Sequence, residues 1–307
     1  MATVPGYLQL ARSGELARRA REGATRLRRC DLCPRRCGVD RVAGETGECG
    51  VGALAVVASF GAHHGEEREL SGWAGSGTVF FGGCNLGCRF CQNEDISHRP
   101  AGRELEPAEL AGAFLELQDL SCHNVNLVTP SHVVPQVLAA LDVAADHGLE
   151  VPVVYNTSGY DTVETLALLD GVVDVYMPDV KLLDAGLAER YLTARDYPEA
   201  VLAAVDEMHR QVGDLVVDGD GLAVRGLLVR HLVMPGLVDE SARVFAWLAS
   251  LSRDTFVNVM HQYRPCADVL RGDEELSAIA RRVTASEFAA ALAAARAAGL
   301  RRAARAA

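Results

Sequence analysis

Of the 30 Lys and Arg residues in this 307-residue chain, only Lys181 is a lysine. Isoleucine and asparagine are also scarce, while Ala, Arg, Gly and Val are abundant, as expected where coding drift has replaced residues wherever chemistry allows. An ammonium that survives such drift marks a position that wants a compact point charge rather than a planar guanidinium, with chance survival as the plain alternative. Long apolar runs are missing too. None approaches the eighteen or so residues of a membrane span, and residues 1–10 lack a charged start followed by an apolar core. A cytoplasmic protein without a membrane partner is expected. Excess positive charge is absent: the net charge of -11 and a pI near 5.3 argue against a general nucleic-acid or anionic-membrane binder. The short arginine clusters at 26–36 and 301–305 read as solvated. A disulfide scaffold is excluded for another reason. The nine cysteines sit in a chain that is neither small nor signal-bearing, and seven of them fall in two tight groups, which points to metal or cluster ligation.

What is present is the material of one α/β body with a small appendage. Half the residues are hydrophobic (49%), enough for a large core. Residues 5–29 predict a basic helix, and 30–50 a Cys/Gly-rich knuckle. We therefore divide the chain into 1–60, an amino-terminal helix and metal-binding segment, and 61–307, the catalytic body. From Ser76 onward short apolar runs alternate with amphipathic stretches, the pattern of βα units on a parallel sheet. Strands are predicted near 77–82, 124–129, 151–155, 173–178, 226–234 and 255–260. Helices are predicted at 107–119, 132–147, 162–170, 185–213 with a break near Tyr197 and Pro198, and 239–252. Pro107 marks a first turn, Ser131 and Asp161 read as N-caps, and Thr284 with Glu287 forms a capping box opening a closing helix. Residues 215–225 predict an inserted hairpin. Six strands at this spacing fit an incomplete (β/α)6 barrel better than an eight-stranded one.

Phe80-Phe81-Gly82-Gly83-Cys84-Asn85-Leu86-Gly87-Cys88-Arg89-Phe90-Cys91 directly follows the first predicted barrel strand. Its cysteines therefore sit at a strand's carboxyl end, where such barrels carry their chemistry. Thiolates at i, i+4 and i+7 in a glycine-containing loop can converge on one cluster and leave its fourth iron without a protein ligand. Three buried or zinc-binding cysteines are the blander reading. The C-x3-C-x2-C spacing with an aromatic residue before Cys91 resembles the radical S-adenosylmethionine (SAM) superfamily motif. That resemblance implies a [4Fe-4S] cluster held by Cys84, Cys88 and Cys91, whose open iron chelates SAM. It further implies reductive cleavage of SAM to a 5′-deoxyadenosyl radical that abstracts hydrogen, fed by a donor such as flavodoxin or ferredoxin. The segments 61–67, Ser76-Gly77-Thr78-Val79-Phe80-Phe81, Gln92-Asn93 and Gln262-Tyr263-Arg264-Pro265 together resemble the uncharacterised proteins related to pyruvate formate-lyase activating enzyme.

The same resemblance suggests a set of SAM contacts. Thr129-Pro130-Ser131-His132 stands where the activase relatives carry a Gly-Gly-Glu-type segment for the SAM amino group. Ser131 is thus a candidate contact or only a helix cap. Asn156-Thr157-Ser158-Gly159 looks like the family's Asp-Thr-Asn-Gly segment, and Asp179-Val180-Lys181 like its Asp-x-Lys. Two residues apart on an extended segment, Asp179 and Lys181 point the same way and could meet the zwitterionic methionine part of SAM, or form a surface ion pair. Arg230 resembles the arginine that reaches the SAM carboxylate. A charge inside an apolar strand needs a buried anion, and a structural bridge to Asp or Glu would also serve. Met260, Gln262 and Tyr263 close the sixth strand end near the ribose. His63, His64, Glu66 and Glu67 read as a solvated loop packing over the cluster, Cys122 as an inert buried thiol, and Cys266 as either inert or a hydrogen donor.

Cys30, Cys33, Cys37 and Cys49 supply four soft ligands in a stretch too short to fold unaided. They suit either tetrahedral zinc or a second iron-sulfur cluster, and the knuckle-like turns lean toward zinc. Three functions remain open: an activase that draws hydrogen from a glycyl radical enzyme, the same chemistry on another peptide or small molecule, and a non-catalytic electron carrier. The polar strand ends argue against the carrier, which needs no substrate pocket.

Overall fold

A computed structural model describes residues 4–305, and side chains through 303. Residues 1–3 and 306–307, the outer ends of the 1–60 and 61–307 divisions, lie outside the described residues. Ten strands are found among the described residues: β1 (Ala55–His63), β2 (Ser76–Phe81), β3 (Arg103–Leu105), β4 (Val125–Val128), β5 (Val153–Thr157), β6 (Val175–Pro178), β7 (Val216–Val217), β8 (Ala223–Leu232), β9 (Phe256–Met260) and β10 (Arg302–Arg305). They form one mixed, mostly parallel sheet in the order β10-β9-β8-β6-β5-β4-β2-β1-β3, with β7 paired to β8 off that path. Seven strands run parallel; β1, β3 and β7 are antiparallel. Every residue of β5 and β6 is buried, which is why these strands read as continuous apolar runs rather than alternating ones.

Six of the parallel strands lie where the apolar runs predicted them. β1, β3 and β10 were not predicted. β1 crosses the expected boundary between residues 60 and 61, and only its first three residues are buried, so it lacks a continuous apolar run. β10 follows the closing helix and pairs only with β9. Arg302 there stacks its guanidinium 5.3 Å from the Phe256 ring centroid and donates to the Leu215 carbonyl at 2.7 Å.

The helices between strands follow their signals closely. Pro107–Asp119 opens with Pro in its first turn, and Ala185–Leu192 is separated from Tyr197–Val212, as expected. Thr284 caps Ala285–Ala297 through a capping box with Glu287. Two caps were misread. The helix Val134–Asp146 begins after Val133 and the helix Val163–Leu166 after Thr162, leaving Ser131 and Asp161 free to bond elsewhere. The expected basic helix is split into Gly6–Arg12, Glu15–Thr25 and a 3-10 turn Arg26–Arg29, because Gly14 takes a left-handed φ of 73°. These pieces dock on the main body: the Tyr7 hydroxyl donates to the Val151 carbonyl at 3.1 Å, and Arg19 donates to the Asp170 carbonyl at 2.5 Å. No helix among the described residues is long and apolar enough to cross a membrane.

Candidate functional site

One cavity of about 400 Å³ opens at the carboxyl ends of the parallel strands. Cys84, Cys88 and Cys91 line it from the loop after β2, Thr129 from the end of β4, and Asn156, Thr157 and Ser158 from the end of β5. Asp179 and Lys181 enter after β6, and Arg230 from β8. Parallel strands in register bring residues that are far apart in sequence to one rim, since each βα unit returns the chain to the same edge. Of the residues the sequence assigned to SAM, Ser131 and Gln262 do not line this cavity. Ser131 is buried behind it, its hydroxyl 3.0 Å from that of Thr157. Gln262 is exposed, with its amide on the Met260 sulfur at 3.2 Å.

The cysteine loop is held from several sides. Cys91 N–H donates to the Cys88 carbonyl at 3.1 Å, and the Arg89 backbone pairs with Tyr191 and Asp268. The Arg89 side chain binds Asp268, Asp273 and Glu275, staking the loop to the 3-10 segments near 267–279. Phe90 packs on Tyr263 with ring centroids 5.9 Å apart. Gly83 has φ 79°, and a Cβ there would lie 2.4 Å from the Cys49 carbonyl, so only glycine fits. Burial pushes the Cys84 and Cys88 thiols up, with Lys181 the cation that opposes it at both.

Asp179 and Lys181 pair at 2.5 Å. Burial alone would pull the lysine down, but the Asp179 carboxylate overcomes it and holds the ammonium well above its ordinary range. The residue that fixes this segment was missed in the sequence. Tyr197 is fully buried, and its hydroxyl stands 2.9 Å from both the Ser158 and Asp179 carbonyls while accepting the Lys181 N–H at 3.1 Å. Its only sequence signal was its place at a helix start beside Pro198. Asp161 was also misjudged: buried, it accepts from Tyr155 at 2.8 Å and from Thr157 at 2.6 Å, and burial raises its pKa. Thr129 carries φ 59°, an outlier for a β-branched residue, at the cavity wall.

Arg230 reaches the cavity already paired. Its Nε donates to Glu67 at 2.7 Å and its Nη2 contacts both Glu66 and Glu67, while Asn258 adds a bond to Glu67 at 2.5 Å. The solvated-loop reading therefore fails for Glu66 and Glu67, whose side chains are only 8% and 6% exposed. Two carboxylates tolerate this because they share one guanidinium and Glu67 also accepts from Asn258; burial raises Glu67, and Arg230 brings it below its ordinary range. His63 and His64 remain exposed, His63 lying 3.4 Å from Glu66. His132 is buried with its Nε2 on the Gly82 carbonyl at 3.0 Å, and burial lowers it to about 4.

The pattern that defines the Radical SAM superfamily matches residues 78–247, more than half of the chain and the span that builds this rim. The chain belongs to the radical SAM superfamily. It is also 34% identical over 244 residues to the uncharacterized protein MJ0674 of Methanocaldococcus jannaschii, an alignment covering 77% of this chain and 66% of that one. The chain thus spans just under two thirds of that relative. Membership implies SAM cleavage chemistry with a [4Fe-4S] cluster and a source of electrons. Among the cavity residues, the carboxylates that could cap a fourth iron are committed elsewhere, Glu66 to Arg230 and Asp179 to Lys181, while His63 stands at the wall 3.4 Å from Glu66. Three thiols on one wall with the neighbouring carboxylates occupied fit a cluster with one open corner.

Proposed function

We propose that this radical SAM protein holds its cluster on Cys84, Cys88 and Cys91 and binds SAM across the cavity they line. The observation that carries the reading is the convergence of these thiols with Asn156, Ser158, Asp179 and Lys181 on one rim. When bound, cluster and SAM supply a one-electron cleavage to methionine and a 5′-deoxyadenosyl radical that takes a hydrogen atom from the substrate. The Asp179–Lys181 pair meets the charged amino-acid end of SAM. Asn156 and Ser158 offer amide and hydroxyl groups, and Thr157 is oriented from behind by Asp161 and Ser131. Arg230, held by two glutamates, presents its guanidinium at the cavity wall as a donor already paired with carboxylates. In this reading the sheet is a six-unit barrel left open on one side, and residues 1–60 are an accessory segment.

Activation of a glycyl radical enzyme is the narrower proposal, supported by the likeness of residues 61–67, 76–93 and 262–265 to the activase relatives. Modification of another peptide or small molecule uses the same machinery. Anaerobic protein reduced with dithionite and given SAM is expected to release 5′-deoxyadenosine, and Cys88→Ala to abolish that release. Turnover by Cys88→Ala at the wild-type rate would sink the assignment. A glycyl radical signal in a co-incubated partner selects the activase.

A further inference from the structure

The second group of cysteines is built like the first. Cys30 and Cys33 are buried, Cys49 half-buried and Cys37 exposed. Cys33 lies within electrostatic reach of Cys30 and Cys49, and Cys49 within reach of Cys30 and Cys37. Their sulfurs receive backbone N–H groups: Arg35 N–H at Cys33, Val51 N–H at Cys49, and Glu48 N–H at Cys37 at 3.4 Å. In the cluster loop, Leu86 N–H donates to Cys84 at 3.4 Å with the same two-residue offset as Arg35 and Val51. Donors aimed at sulfur suit an anionic ligand.

A buried cation points the same way. Arg41 is 1% exposed and forms no ion pair with a carboxylate among the described residues. Its Nε donates to the Gly52 carbonyl at 2.8 Å and its Nη1 to that of His132 at 2.7 Å, with the Cys30 sulfur 3.9 Å away. Its Nη2 has no partner. An arginine is charged at any pH the protein meets, and an uncompensated buried charge costs several kcal/mol. The Cys30 sulfur is the atom in contact able to carry the missing negative charge.

The likeness to the first set favours a cluster over one ion. Zinc bonds of about 2.3 Å would draw four sulfurs to within roughly 4 Å of each other. Among the described residues no three His, Cys, Asp or Glu side chains stand close enough to hold one ion, and this is equally true of Cys84, Cys88 and Cys91. In this the second set matches the first. We propose that Cys30, Cys33, Cys37 and Cys49 hold a second [4Fe-4S] cluster, balanced by Arg41, that passes electrons to the active-site cluster. Four thiolates on a 2+ core leave a charge of about −2 for the guanidinium to offset.

The wiring is short. Asn85 follows Cys84 in the chain, and its side chain lies against the Cys33 sulfur. Arg35 clamps the two segments by donating to the Asn85 carbonyl at 2.9 Å and to the Leu86 carbonyl at 2.8 Å. One side chain either way of a 3.8 Å Cα step sets Cys33 and Cys84 on the order of 10 Å apart. A ferredoxin- or flavodoxin-class donor gives one electron at the exposed Cys37 edge, taking this cluster from 2+ to 1+. Transfer inward returns it to 2+ and reduces the active-site cluster by one electron. The relay role rests on the proposed function, whereas the second cluster itself does not.

Iron, sulfide and zinc are counted on anaerobically reconstituted full-length protein, Cys88→Ala and Cys37→Ser. About eight irons per wild-type chain without zinc are expected, and about four in each variant. Reduced Cys88→Ala should keep a cluster signal in electron paramagnetic resonance while losing SAM cleavage, and adding Arg41→Gln should move its midpoint potential downward. Four irons in wild type, with or without one zinc, overturn the proposal, as does an unaltered count in Cys37→Ser. Wild-type SAM cleavage by Cys88→Ala instead overturns the active-site reading and leaves the iron count to decide this one.

Discussion

Tyr197→Phe isolates a single hydroxyl at the heart of the proposed SAM site. The ring fills the same space in both forms, so no cavity opens, and the ring pair with Tyr160 at 6.1 Å is kept. What disappears is the one group that joins the Ser158 carbonyl, the Asp179 carbonyl and the Lys181 N–H. Each buried group left unsatisfied costs about 1–3 kcal/mol, and partial relaxation of three groups leaves a loss of about 2–4 kcal/mol in folding stability. If about 1 kcal/mol of this reflects loosening of the Asp179–Lys181 segment, SAM binding weakens about fivefold. Equilibrium denaturation and calorimetric SAM titration, both anaerobic, measure the two effects. A stability change under about 0.5 kcal/mol, or weaker stability with unchanged SAM affinity, would refute the view that this hydroxyl organises the site.

Two further predictions test the charges. Glu67→Gln removes the carboxylate that binds Arg230 through two nitrogens and leaves Glu66 as its remaining counter-charge. A loss of about 2–3 kcal/mol is expected by denaturation, less than for a buried pair broken outright; a neutral result would mean that Glu66 alone suffices. Asp174 is buried beneath the backbone N–H groups of Gly6 and Val153, and burial raises its pKa from 3.8 to about 6. The folded state therefore binds this proton more tightly than the unfolded chain does. Its contribution is fully present below pH 3.8 and is lost as pH rises through 6, up to about 3 kcal/mol. The stability difference between wild type and Asp174→Asn should shift against wild type over that window, and a flat difference from pH 4 to 7 would contradict the assignment.

The cysteine loop was legible in the sequence because its chemistry is local. Three ligands within eight residues must follow one short spacing, and glycines must accompany the turns. The six inner parallel strands were legible for a related reason: burial on both faces demands continuous apolar runs, which stand out in any chain. β3 and β10 were not, since edge strands gain much of their stability from the neighbour they pair with and carry little pattern of their own, and β1, between β2 and β3, is buried only over its first three residues. Ser131 and Asp161 looked like caps because capping is the commonest local use of such residues; their bonds to Thr157 come from a strand residue 26 positions away in one case and four in the other.

The amino-acid order by itself determined the ligand spacing, the parallel α/β class and the family. Only the folded chain decided who neutralises whom. Arg230 meets Glu66 and Glu67 across more than 160 positions, Tyr197 bridges two strand ends, and Arg41 lies beside Cys30 with no carboxylate partner. Charge compensation depends on distance and burial in space, and neither quantity is written in the separation of residues along a chain.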